Sequence, residues 1–197
     1  MIDLSICILS LPARIDSYAR LVSCLNKQIV SGGFEKRVEI LSFTDSKTFT
    51  VGQKRNMLKD LAIGRYICFA DDDDGVSEHY IRCLLYGIDH NPDVVTFMGY
   101  YIKDGENKIP FSITQLHGNN NTPKMIYRLP NHLCAVKSII AKQCSFPNMN
   151  YREDSDYAEN INKKIKNEYH LKEYLYTYFD NPKESQTQNP DANAFGM

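Results

Sequence analysis

Four consecutive aspartates, Asp71, Asp72, Asp73 and Asp74, follow directly on the apolar hexapeptide RYICFA (65–70). Adjacent carboxylates repel one another, and a fold that gathers them usually offsets the repulsion with a cation. Oxygen-only ligands favour a hard ion, Mg²⁺ or Mn²⁺. A cation shared between a carboxylate and a diphosphate would stabilise the charge that develops on a departing nucleoside diphosphate. An acidic run also serves as turn residues and as helix N-terminal charge. The apolar strand ahead of it favours the site, because a solvated acidic loop needs no buried strand to aim it. Lys54 and Arg55, at a helix start, could bring positive charge to the same diphosphate, whose oxygens suit Arg forks and helix N-termini; the alternative is a solvated basic face. Glu153 and Asp154 open another helical pattern, where a carboxylate could act as a general base, although acidic residues in a first helical turn, Asp156 included, are what helix electrostatics favours anyway.

These residues need elements to position them, and short apolar runs alternating with helical patterns predict βαβ units feeding a largely parallel sheet. Strands are expected at 4–10, 37–43, 65–70 and 93–102. Helices are expected over 14–30, closed by Ser31-Gly32-Gly33, over 54–63, closed by Gly64, and from an N-cap at Ser77. Residues 103–108 read as a hairpin turn and 111–130, with GNNNTP, as an exposed loop. A short strand at 133–136 leads into a small helix, a further helix should run from Glu153 to about 167, and 171–179 should form a late strand. The expected whole is a single α/β/α domain over 1–180 with a Rossmann-type nucleotide-binding sheet, followed by a flexible tail over 181–197 that has almost no apolar residues.

At 197 residues, 43% hydrophobic and 24% charged, the chain suits one sizeable core. A formal net charge of -1 gives no global field for nucleic acid or an anionic membrane, though it would hide a local basic patch. The opening MIDLSICILSLPAR reads as a strand, since Asp3 precedes the apolar stretch and Arg14 stands where a small-residue cleavage site should be. No run of about 18 apolar residues occurs, so a soluble, cytoplasmic protein is expected. Cys7, Cys24, Cys68, Cys83, Cys134 and Cys144 form no CxxC pair and mostly sit among apolar neighbours, which predicts buried free thiols.

The stretch from Val38 to Asp74, with VEILSFTDS and then VGQKRNMLKDLAIGRYICFADDDD, resembles the nucleotide-binding half of family 2 glycosyltransferases of GT-A fold. The matching features are Asp45 after the second strand, Gly52, Arg55-Asn56 opening a helix, Gly64, and a DxD motif at Asp71-x-Asp73. The resemblance implies that Pro12, Arg14, Asp45 and Arg55 line the nucleotide pocket. It further implies that Asp73 binds metal, with Asp71 or Asp72 sharing it or meeting the ribose. NHLCAVKSIIAKQCSFPNMNYREDSDYAENI resembles the acceptor side, where an acidic pair opens a helix, and the implied general base is Asp154, with Glu153 orienting it or touching the acceptor. The implied reaction is metal-dependent, inverting sugar transfer from a nucleotide diphosphate sugar, with UDP favoured. The family's late strand has the form Tyr-His-Tyr, whose histidine can complete the metal shell. EYLYTYF carries Thr177 there, and His170 is seven residues out of register. His132 could touch donor or acceptor, but a lone histidine is more often a satisfied core or loop residue.

Two other classes compete. Sugar-phosphate nucleotidyl transfer also uses metal and carboxylates, yet normally needs a Gly-rich phosphate loop after the first strand, where LSLPAR has no glycine. A non-catalytic nucleotide- or glycan-binding module is the other. The acceptor could be a glycan, a protein, a small molecule or a hydroxymethylated DNA base. The basic run Lys163, Lys164, Lys166 and Lys172 is compatible with a phosphate backbone, but is more often a solvated face.

Overall fold

The computed structural model describes residues 1–180 except Asp104 and Glu106; the expected tail over 181–197 lies outside the described residues. The first strand, β1 (Leu4–Ser10), is buried along nearly its whole length because it pairs in parallel with β2 (Val38–Thr44) on one side and β3 (Tyr66–Asp71) on the other. That double pairing explains why LSICILS is continuously apolar rather than alternating. A 3₁₀ turn (Pro12–Arg14) leads into helix α1 (Ile15–Gly32), which buries Leu21, Leu25 and Ile29 at helical spacing. Helix α2 spans Val51–Leu61, starting three residues before the periodicity suggests. A capping box sets this start: the Thr50 hydroxyl accepts the Gln53 N–H, and the Gln53 side chain accepts the Thr50 N–H. Gly64 does not close the helix, whose C-cap is Ala62. A Cβ on Gly64 would stand 2.6 Å from the Ser5 N, so glycine lets the chain cross β1.

After β3 the chain makes a two-residue strand, β4 (Gly75–Val76), before helix α3 (Tyr80–Asp89). The N-cap is His79 rather than Ser77, whose N–H continues the strand pairing by donating to the Leu175 carbonyl (2.9 Å). Strand β5 (Val94–Lys103) pairs with β6 (Asn107–Ile113), and β7 (Asn120–Asn121) and β8 (Ile126–Arg128) extend that side. The stretch read from sequence as a loop therefore carries parts of three strands. Strand β9 (Ala135–Lys137) inserts antiparallel between β3 and β5, and the short helix α4 (Ser138–Ala141) follows. Helix α5 (Glu153–Asn162) ends five residues early, where the Asp93 carboxylate accepts the N–H groups of Lys166 and Asn167 and turns the chain into β10 (Glu168–Asp180).

One sheet of ten strands results, in the order β2-β1-β3-β9-β5-β6-β8-β7, with β10 paired to β5 and β4. It is a mixed α/β architecture with a mostly parallel core flanked by helices. Of the six cysteines, all free, Cys7, Cys68, Cys134 and Cys144 are buried, while Cys24 and Cys83 are half-buried. No described helix is long and apolar enough to cross a membrane.

Candidate functional site

Parallel sheets bind ligands at the carboxyl ends of their strands, and β3 delivers the four aspartates to that edge. Alternation then splits them. Asp72 and Asp74 turn inward and are 3% exposed, whereas the side chains of Asp71 and Asp73 are each 27% exposed. Asp74 accepts the Phe179 N–H (3.0 Å), and the Asp71 N–H donates to the Tyr176 hydroxyl (3.0 Å), so the end of β10 is tied to the loop. Arg14 places Nη1 2.8 Å from both Asp72 Oδ1 and Asp73 Oδ2. Burial, and after it the charge of Asp71, pushes the Asp73 carboxyl up to about 6 in spite of Arg14. Burial acts the same way on Asp71, but His132 and Arg55 outweigh it and hold that carboxyl low.

Arg55 links the two halves of the chain. Its guanidinium lies over the rings of Phe69 and Phe146, at 5.6 and 5.5 Å from their centroids, with Nη2 3.2 Å from Asp71 and Nη1 3.5 Å from Glu153. Glu153 is 3% exposed, and burial raises its pKa against the pull of Arg55. The rest of α2 clamps the segment leading to α5. Asn56 donates to the Phe146 carbonyl (2.8 Å) and accepts its N–H (3.0 Å), and buried Lys59 donates to the Cys144 carbonyl (2.6 Å). Gly52 is required here, since a Cβ would meet the Pro147 oxygen at 1.8 Å.

Together these groups line a cavity of about 370 Å³, walled by Arg14, Lys54, Arg55, the four aspartates and His132 on one side and by residues 151–155, Tyr178 and Phe179 on the other. Asp154 sits on that wall, half-buried, with Oδ1 accepting the Ser155 N–H (2.8 Å). Neither a protein-family model nor a curated protein matches the chain. Solved structures do. Staphylococcus aureus TarS 1-349 in complex with UDP-GlcNAc superposes with a TM-score of 0.68 at 14% identity over 96% of this chain, and its complex with UDP with 0.65 at 15% over 92%. The chain shares the GT-A-like fold of S. aureus TarS. A longer TarS structure superposes with 0.63 at 14% identity over 92% of this chain. The chain spans 37% of that longer TarS chain and 62 to 63% of the two complexes.

Of the residues singled out from sequence, Arg14, Lys54, Arg55, Asp71, Asp72, Asp73, Glu153 and Asp154 meet at this cavity. Pro12 is exposed and, like Asp45, lies outside its lining. Asp45 instead accepts from buried Lys54 (2.8 Å); burial pushes its pKa up, but Lys54 and the Phe49 N–H outweigh that and lower it. Asp156 is exposed. Thr177 pairs with Gly75 and Tyr100 and is outside the lining, and His170 sits by Thr96 (3.0 Å) within the sheet. Sequence reasoning undervalued His132, which is 6% exposed with Nε2 3.5 Å from Asp71 Oδ2. It missed Tyr151, Arg152, Tyr178 and Phe179 as well. Arg152 adopts φ 65 without being glycine, a strained conformation of the kind that clusters at functional sites.

A divalent cation fits this donor set. Asp71 and Asp73 open onto the cavity, and burial together with the neighbouring Asp71 charge raises the Asp73 carboxyl even with Arg14 beside it. Buried Asp72 Oδ2 has no hydrogen-bond partner. Among the described residues no three His, Cys, Asp or Glu side chains form a ready cage. An ion that keeps waters and phosphate oxygens in its shell needs fewer protein ligands than that.

Proposed function

We propose that residues 1–180 form a glycosyltransferase unit that moves a sugar from a nucleotide diphosphate donor, UDP-linked in the first instance, to an acceptor hydroxyl with inversion. The observation that carries this reading is the meeting, in one cavity at the carboxyl edge of the sheet, of the acidic loop, two arginines and the Asp154 wall. TarS, a glycosyltransferase of the same fold solved with UDP-GlcNAc and with UDP, supports the choice of donor.

In this reading Asp71 and Asp73 hold Mn²⁺ or Mg²⁺, which when bound supplies positive charge against the departing diphosphate. Arg14 stands beside Asp72 and Asp73 with a guanidinium suited to phosphate oxygens. Arg55 is fixed by its two aromatic rings, so its charge stays at the cavity floor without reorganisation. Asp154 accepts the acceptor hydroxyl proton as the new bond to the anomeric carbon forms and the bond to the diphosphate breaks. Glu153 faces Arg55 and serves to seat the start of α5 rather than to touch the acceptor.

The test is a panel of nucleotide sugars with Mn²⁺ or Mg²⁺, followed by thermal stabilisation and by release of nucleoside diphosphate. A UDP-sugar that stabilises the chain and is turned over only with metal is the expected result. Stabilisation by none of the panel would overturn the reading, and stabilisation without turnover in the presence of a broad acceptor mixture would favour a binding module.

A further inference from the structure

We infer that His132 is a nitrogen ligand of the cation at this site, an inference that rests on the metal-dependent reading above. His132 lies in the turn before β9, and its position is fixed because its carbonyl accepts the Phe69 N–H (2.8 Å) from β3. The Phe69 ring meets the imidazole in a tilted, edge-type contact, with centroids 6.3 Å apart. The side chain lines the cavity, yet only 6% of the residue is exposed and neither ring nitrogen has a hydrogen-bond partner. A buried imidazole with no hydrogen bond, only an ion-pair approach to Asp71, is uncommon in a native fold and suits a ligand role.

The nearest group narrows what that ligand is. Nε2 stands 3.5 Å from Asp71 Oδ2, but the pair is not aligned as a hydrogen bond. Neighbouring ligands of an octahedral ion bound at about 2.1 Å lie roughly 3 Å apart, so a small rotation of either side chain lets one cation engage both. His170 is held against Thr96 in the sheet and does not line the cavity, which leaves His132 as the histidine of its lining. It also sets a preference: an imidazole favours Mn²⁺ over Mg²⁺, which prefers oxygen alone.

Electron spin-echo spectroscopy of Mn²⁺ bound to the UDP-saturated chain tests this directly, with and without ¹⁵N-histidine labelling. Wild type should show nitrogen modulation from a coordinated imidazole that changes with the label. His132→Gln should lose it, weaken Mn²⁺ at least about tenfold, and narrow the preference for Mn²⁺ over Mg²⁺. His132→Asn serves as a second variant, and the thermal midpoint without metal reports whether each folds. Mn²⁺ that binds and depends on Asp73 but shows no histidine modulation would overturn the assignment while leaving the metal-dependent reading intact. Modulation that survives His132→Gln and disappears in His170→Gln would overturn it too. Failure of Mn²⁺ to bind at all would take both down together.

Discussion

Replacing Asp154 by Asn keeps the shape of the α5 start but removes the proton acceptor. Donor binding should stay near wild type while turnover falls by about 10²–10⁴, read as a drop in kcat with an unchanged dissociation constant for UDP-sugar. Asp73→Asn should behave differently, losing metal-dependent donor binding and turnover together. The raised Asp73 carboxyl adds a pH signature. Its proton is held more tightly in the folded chain, near 6, than at the ordinary value of 3.8, so this group favours folding below about pH 4 and loses that contribution as pH rises through about 6. Cation binding requires the ionised form. The rise in melting temperature on adding Mn²⁺ should therefore be larger at pH 7.5 than at pH 5, and the difference should vanish in Asp73→Asn. At this scale the sequence was informative where carboxylates cluster: the aspartate run and the Glu153-Asp154 pair, each of which could also have been turn or helix-end charge, line one cavity. It was uninformative for His132, because a lone histidine shows its surroundings only once β3 and the turn before β9 are adjacent.

Helix α2 is the element on which the two halves register. Its motif residues also hold the neighbouring segment: Gly52 admits the Pro147 carbonyl, Asn56 pairs with the Phe146 backbone, and Arg55 reaches Glu153. Gly52→Ala should cost about 1–3 kcal/mol, since a backbone oxygen at 1.8 Å cannot yield as a side-chain tip can. Asn56→Ala should cost a similar amount, about 1–3 kcal/mol, by leaving the Phe146 N–H and carbonyl unpaired. Urea midpoints check both, and turnover should fall further than donor binding because the segment that moves carries Asp154. The capping box Thr50-x-x-Gln53 was readable in the sequence, but a glycine in the first turn masked the helix start. The alternation of Ile109, Phe111 and Ile113 marks β6 in the same way, interrupted to the eye by Pro110. Strands β4 and β7 are two residues long and carry no period at all; pairing with β10 and β8 makes them strands.

The cavity draws on distant parts of the chain: the turn after β1, helix α2, the acidic loop, the turn before β9, the start of α5 and the end of β10. The first half of this arrangement was legible because βαβ units of strongly apolar strands permit few topologies. The antiparallel insertion of β9 was not, since a three-residue strand gains its direction from its neighbours. Lys163, Lys164 and Lys166 are exposed, with the Lys166 N–H held by Asp93 just before β5, so replacing all three by Glu should leave UDP-sugar turnover unchanged. A ligand held by so many segments stabilises only the state in which all of them are in place. At a hundredfold excess over its dissociation constant, UDP-sugar with Mn²⁺ should add about 2.7 kcal/mol, or roughly 5–10 °C in melting temperature for a chain of this size. The shift should come as one cooperative transition in calorimetry. Two transitions, with only the earlier or the later one moved by donor, would mean that the acidic loop and α5 belong to units that fold apart, and the site built across them would have to be abandoned.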